Sequence, residues 1–199
     1  MPDPRRARLS PEERRAQLVA TGVNFLAEHT LDELTMDELA RRAGVSRPLL
    51  FHYFDTRQGM HKAVVTMARD SLLLASEPRS ELPPRERIHD TLLRVAEFVQ
   101  QHQSTFHSLV RGVASGDPAV RRVVDESREQ NAERLIQAFT ELGTTDTAAL
   151  RIAMRAWVSF TEETLISLVI ERGTDPAEAV RFLEATLDGV VAATDELHL

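Results

Sequence analysis

The stretch that most constrains this chain is TMDELARRAGVSRPLLFHYFDTR, running from Thr35 to Arg57. Thr35 with Glu38 three residues on is a capping box and predicts a helix start. Met36, Leu39, Ala40 and Ala43 then recur at i, i+3, i+4 and i+7, a single apolar stripe. Gly44 ends that helix, because only glycine takes the left-handed conformation without a Cβ clash. Ser46 predicts the next N-cap, with Val45 and Leu50 as a hydrophobic staple across it. Pro48 falls in the first turn, where its missing N–H costs little. Two short helices joined by a short glycine-containing turn form a helix-turn-helix, whose second helix fits a DNA major groove. Leu50 and Phe54 point inward on that second helix; Arg47, Leu49, His52 and Tyr53 are expected to face out.

The same residues resemble a known family. AGVSRPLLFHYFDTR is similar to the recognition segment of the tetracycline-repressor (TetR) family of bacterial transcription regulators. The resemblance is close over about the first third of the chain and elsewhere rests on length and helical pattern. Pro48 and Leu49 stand where small or hydroxylic residues are usual, Phe51 where Tyr is common, Arg57 where Lys is usual, and Gly59 where an acidic residue is usual. The resemblance implies a DNA-binding regulator and a two-fold dimer formed by the last two helices. It also implies a small-molecule pocket in the C-terminal part.

Charge agrees once it is divided. The chain carries a net charge of −7. Residues 1–62 hold ten Lys/Arg against nine Asp/Glu, leaving fourteen against twenty-two of the chain's 24 and 31 for residues 63–199. The acidity therefore lies outside the DNA-reading part, and local charge governs phosphate contact. With no cysteine, disulfides and thiolate metal sites are excluded, as suits a reducing compartment. The start MPDPRRARLS lacks an apolar signal core, and the longest apolar runs are too short to span a bilayer, so a cytoplasmic protein is expected.

In chain order, residues 1–9 read as a basic arm carrying Arg5, Arg6 and Arg8, either touching DNA or simply solvated. Ser10-Pro11-Glu12-Glu13 opens a first helix with Leu18, Gly22, Phe25 and Leu26 buried. A fourth helix covers about 56–76, and EPRSELPP (77–84) breaks the chain. Further helices are predicted over 84–101, 105–114, 118–142, 146–172 (capped by Asp146) and 176–196. The fold class is all-α, about nine helices. The expected domains are a helix-turn-helix DNA-binding domain at 10–56 and an effector-binding and dimerisation domain at 57–199.

The site residues expected for DNA are Thr35, Ser46, Arg47, Pro48, Leu49, His52, Tyr53 and Arg57. Arg47 and His52 suit base edges, Leu49 a thymine methyl, and Thr35, Tyr53 and Arg57 phosphates. The last two helices are apolar on two faces, so both need cover. Ala149, Ile152, Ala153, Ala156, Val180, Leu183, Leu187, Val190 and Val191 are the expected dimer interface. Phe98, His102, Phe106, His107, Met154, Trp157, Phe160 and Thr161 have the mixed character of an effector pocket, although such residues at helical spacing also make ordinary core.

No enzyme signature appears. Phosphate-binding glycine loops and GxSxG are absent, and His102 and His107 are five apart rather than the i, i+4 spacing that zinc needs. Glu162 and Glu163 are adjacent and diverge on a helix. No catalytic residue, metal or cofactor is expected. The partners expected are near-palindromic operator DNA, an unidentified small-molecule effector and a second copy. The alternative is an all-α dimeric sensor or carrier that does not read DNA.

Overall fold

The computed structural model describes residues 9–111, 117–194 and 196. Among them the chain forms nine α-helices and no strand. They are α1 (Pro11–Phe25), α2 (Met36–Ala43), α3 (Arg47–Phe54), α4 (Arg57–Ala75), α5 (Pro84–Gln101), α6 (Gln103–Arg111), α7 (Pro118–Glu141), α8 (Ala148–Leu165) and α9 (Pro176–Thr194). A short 3-10 turn, Leu31–Glu33, precedes α2, and α8 widens into a π-helical turn over Ile166–Glu171. No helix among the described residues is long and apolar enough to cross a membrane. The arm residues Arg5, Arg6 and Arg8, and the expected end of the sixth helix at 112–114, lie outside the described residues.

The caps explain most boundaries. Ser10 and Glu13 form a complete capping box, with bonds of 2.7 and 3.1 Å. Asp117 and Asp175 each accept the backbone N–H two residues on, at 2.8 and 2.9 Å, ahead of a first-turn proline. The start of α8 differs from expectation. Thr147, not Asp146, is its N-cap and accepts from the Leu150 N–H at 3.1 Å. Asp146 is drawn instead to the Arg151 guanidinium, 2.6 Å away.

Buried side chains gather into two clusters. One joins α1, α2, α3 and the first half of α4, and takes in Leu109, Val120 and Val123 from α6 and α7. The other joins α5 to α9. Helix α4 links them: Met60, Val64 and Val65 belong to the first, and Leu72 packs on the second. At 1.5 Å per residue, the rise from Arg57 to Leu72 is about 22 Å. Close packing of α1 on α4 depends on Gly22, where an added Cβ would lie 2.5 Å from the Val64 Cγ2.

Candidate nucleic-acid interface and ligand cavity

Helix α2 begins at Thr35, whose hydroxyl accepts from the Glu38 N–H at 3.1 Å. The reciprocal half of the expected capping box is missing. The Glu38 carboxylate is held by Arg41 and Arg42 at 2.6 and 2.7 Å, and those hydrogen bonds lower its pKa to about 2. Gly44 closes α2 at φ 64°, ψ 36°, its N–H returning to the Ala40 carbonyl. Ser46 is the N-cap of α3 by backbone geometry, but its hydroxyl makes no cap hydrogen bond.

Leu50 and Phe54 anchor α3 in the first core. The outward face is centred on Arg47, Pro48, Phe51 and His52, all exposed. Leu49 and Tyr53 are half-buried on its flanks, and Tyr53 packs against the core; they face out less than their spacing predicts, because the stripe of Leu50 and Phe54 tilts them inward. Phe51 was not among the expected contacts, yet it is 40% exposed and lies under the Arg47 guanidinium at 5.6 Å. Its i, i+4 relation to Arg47 was the available signal. Arg47 also pairs with Asp37 of α2 at 3.3 Å, both side chains mostly exposed.

The end of α3 is unusual. Asp55 has φ 64°, ψ −50°, and the Thr56 N–H donates to the Phe54 carbonyl at 2.6 Å. That is a γ-turn of the rarer, positive-φ kind, a strained conformation for a residue with a Cβ. Immediately after it, Thr56 accepts from the Gly59 N–H at 3.0 Å and caps α4. A Cβ at Gly59 would meet the Phe54 carbonyl oxygen at 2.2 Å. Glycine there is therefore what lets the first turn of α4 press against the end of α3, and the cap forms without an acidic side chain.

Arg57 opens α4 and donates to the carbonyls of Asp32 and Leu34. Its guanidinium thus ties α4 to the connection leading into α2. Buried His61 reinforces that joint, its Nε2–H donating to the Leu34 carbonyl at 2.8 Å. Burial lowers the His61 pKa, with the Leu34 bond opposing.

An apolar cavity of about 110 Å³ lies between α4, α5, α7 and α8. Of the expected pocket residues, Phe106, Trp157 and Thr161 line it. The other five lie elsewhere. Met154 is fully buried core, and Phe98 is half-buried beside exposed His102, ring centroids 4.6 Å apart. His107 lines a shallow hollow with Glu28 and His29. Phe160 is 42% exposed on the outer side of α8, 6.2 Å from Phe182. Sequence periodicity gives a helix's stripes but not which neighbour each stripe meets, and it missed Arg87, Thr91 and Arg134 of the lining.

The expected interface residues also divide. Ile152 (64%) and Ala156 are exposed, and Ala153 and Val190 are half-buried. Ala149, Val180, Leu183, Leu187 and Val191 are buried within the chain's own fold. The larger side chains of α9 bury more apolar area by turning inward. Its outward stripe is Phe182, Ala185, Gly189 and Ala193, all exposed.

The all-helical order with its N-terminal helix-turn-helix matches known proteins. A family model described as "Bacterial regulatory proteins, tetR family" matches residues 18–64, and "Tetracyclin repressor-like, C-terminal domain" matches residues 84–187. The chain belongs to the TetR family. A tetR-family transcriptional regulator from Streptomyces coelicolor has a similar structure, with TM-score 0.77 and 30% identity over 94% of this chain and 86% of that one. The nucleoid occlusion factor SlmA of Haemophilus influenzae is 29% identical over 94 residues, 46% of this chain and 43% of that protein. The transcriptional activator FasR of Mycolicibacterium smegmatis is 29% identical over 105 residues, 52% of this chain and 48% of that protein. The chain thus matches about half the length of these curated relatives or less. As a TetR-family member it is a DNA-binding transcriptional regulator with a helix-turn-helix, not an enzyme.

Proposed function

We propose that the protein is a repressor that binds a near-palindromic operator as a two-fold dimer and leaves it when a small molecule occupies the α4–α5–α7–α8 cavity. The observation that carries this reading is the pairing of two unpartnered faces. The outer face of α3 offers Arg47, Pro48, Phe51 and His52, and the outer face of α8 and α9 offers Ile152, Ala156, Phe160, Phe182 and Gly189. The second face is apolar and small-residue-rich, the surface an isologous helix pair buries. A two-fold sets two copies of α3 against half-sites about 34 Å, or a multiple, apart.

On the DNA, Arg47 and His52 read base edges, Pro48 and Leu49 offer apolar contact, and Thr35, Ser46 and Tyr53 donate hydroxyls to phosphates. The Thr35 hydroxyl accepts a cap bond and keeps its own hydrogen to donate. Arg57 adds positive charge at the start of α4 while holding that helix to α2.

Release follows from the reach of α4. Leu72 and Ser76 line the cavity, and the other end of the same helix presses on α3 at Gly59. A ligand larger than the cavity parts α4 from α5 and α7 and swings α3. Moving the population from mostly competent to mostly incompetent takes about 5.5 kcal/mol of differential ligand affinity. The test is a mobility-shift titration on the chain's own upstream region at two salt concentrations. A sequence-selective shift with two protomers per duplex is expected; equal affinity for scrambled duplex would overturn the reading.

A further inference from the structure

The cavity is apolar over most of its wall, yet it holds polar groups that the fold leaves unspent. The Arg87 Nε, the Thr91 Oγ1 and the Thr161 Oγ1 are buried without a hydrogen-bond partner, and all three residues line this one cavity. Arg87 and Thr91 are i, i+4 on α5 and so share a face. A helical hydroxyl with nothing else to bond normally turns back onto the carbonyl four residues earlier. In this chain Thr21, Ser71 and Thr140 do so at 2.9, 3.0 and 2.8 Å. Thr91 and Thr161 do not. Leaving a buried polar group unpaired costs stability, a cost an occupant with matching groups removes.

The charges narrow the occupant. Arg87 is neutralised by Glu141, its Nη1 and Nη2 both engaging that carboxylate. Glu162 is neutralised by Arg128, at 2.7 and 2.9 Å. Arg134 is half-buried, and its one described hydrogen bond goes to the Asn131 Oδ1 at 3.3 Å. No carboxylate among the described residues forms an ion pair with it; Glu77 acts on it only at longer range. Burial disfavours its charged form, as expected of a cation awaiting a partner. The lining thus carries one uncompensated positive charge, and the unspent groups on α5 and α7 are donors.

The geometry points to a compact monocarboxylate, an aryl or short alkyl acid, as the effector, its carboxylate meeting Arg134, the Arg87 Nε–H and the Thr91 hydroxyl. The inference rests on the cavity being the effector site. A monoanion balances the single charge, whereas a dianionic phosphate would leave an excess negative charge in an apolar wall. An apolar cavity of about 150 Å³ accepts a benzene ring, so about 110 Å³ suits one small apolar body before the helices yield. The remaining hydroxyl, on Thr161, lies one turn from Trp157, which makes the chain's lone tryptophan a reporter beside that body.

The experiment titrates full-length protein with a series from phenylacetate to 5-phenylpentanoate, the matching neutral amides and the matching amines, following Trp157 fluorescence. Saturable change with a carboxylate, at least tenfold tighter than with its amide, is expected for at least one length. Arg134→Met should erase the tenfold difference, and Thr91→Val should reduce it without lowering the protein's thermal unfolding midpoint, because the substitution removes an unpaired buried hydroxyl. Amide or amine binding as tightly as the acid would overturn the monocarboxylate assignment and leave the cavity reading intact. Silence from every probe, in a protein that still binds its operator, would overturn both. Tight acid binding unaffected by Arg134→Met would also overturn the assignment, because the charge would then be met elsewhere.

Discussion

Phe182→Glu tests the two-fold axis on which operator reading depends. Phe182 is 49% exposed in the protomer, close to Phe160 and within a stripe of Ala185, Gly189 and Ala193. A phenylalanine can bury roughly 200 Å², so about 100 Å² of this ring remains for a partner to cover. At ~25 cal/mol per Å² that is about 2.5 kcal/mol per copy. An isologous interface contains every residue twice, which doubles the loss to about 5 kcal/mol. Interfacial area converts incompletely into affinity, so at least about half of this should survive. The expected weakening is therefore on the order of 10²- to 10⁴-fold in the dimer Kd, and burying the new carboxylate adds to it. Sedimentation velocity across a dilution series measures this directly. Phe182→Leu should stay dimeric, and the far-ultraviolet spectrum of Phe182→Glu should match the parent, because the ring lies outside the protomer core. A Phe182→Glu protein that dimerises as tightly as the parent would refute the placement of the axis on α8 and α9.

Three further outcomes follow from the helix-turn-helix and its supports. Gly44→Ala forces a Cβ residue to φ 64° and should cost about 1–2 kcal/mol of stability in urea unfolding; an unchanged midpoint would mean that the turn relaxes. Arg57→Ala should weaken specific and random duplex alike and reduce the slope of log affinity against log salt by about 0.9, because it removes a cation without touching a base edge; loss of sequence preference alone would contradict that role. His61 has its pKa lowered by burial, so its folded value lies below the unfolded value of about 6.5. Its contribution to stability is full above that value and is lost as pH falls through the folded value, at up to about 1.4 kcal/mol per pH unit. His61→Gln, which keeps a donor for Leu34, should flatten the unfolding profile just below pH 6.5, and an identical slope would remove His61 as the cause.

Much of the N-terminal architecture was legible because it is encoded locally. Caps at Ser10, Thr35 and Thr56, the glycine at 44 and the proline at 48 act within one turn of chain, and each holds its expected boundary. What could not be read is how helices distribute their faces. Helix α9 is apolar on both sides, and only the competition for core decides that Leu183 and Leu187 go in while Phe182 and Gly189 stay out. The cavity poses the same problem. Arg87, Thr91 and Arg134 look like ordinary surface positions in the sequence, and what sets them apart is that helix packing turns all three into one cavity and encloses the Arg87 Nε and the Thr91 Oγ1 there without a partner. Gly59 shows the same limit: the need for glycine comes from the Phe54 carbonyl of the preceding helix, a close approach that its neighbours in the sequence do not reveal.

The claim on which the account stands is that the exposed side of α3 reads base edges. Selection of bound sequences from a randomised duplex pool, run in parallel with the parent and with Arg47→Ala, addresses it most directly. The parent should enrich two inverted half-sites, and Arg47→Ala should relax preference at one symmetric pair of positions while keeping the rest, a loss of about 1–3 kcal/mol of discrimination there. An unenriched pool from the parent, or the same motif at the same strength from both proteins, would contradict it.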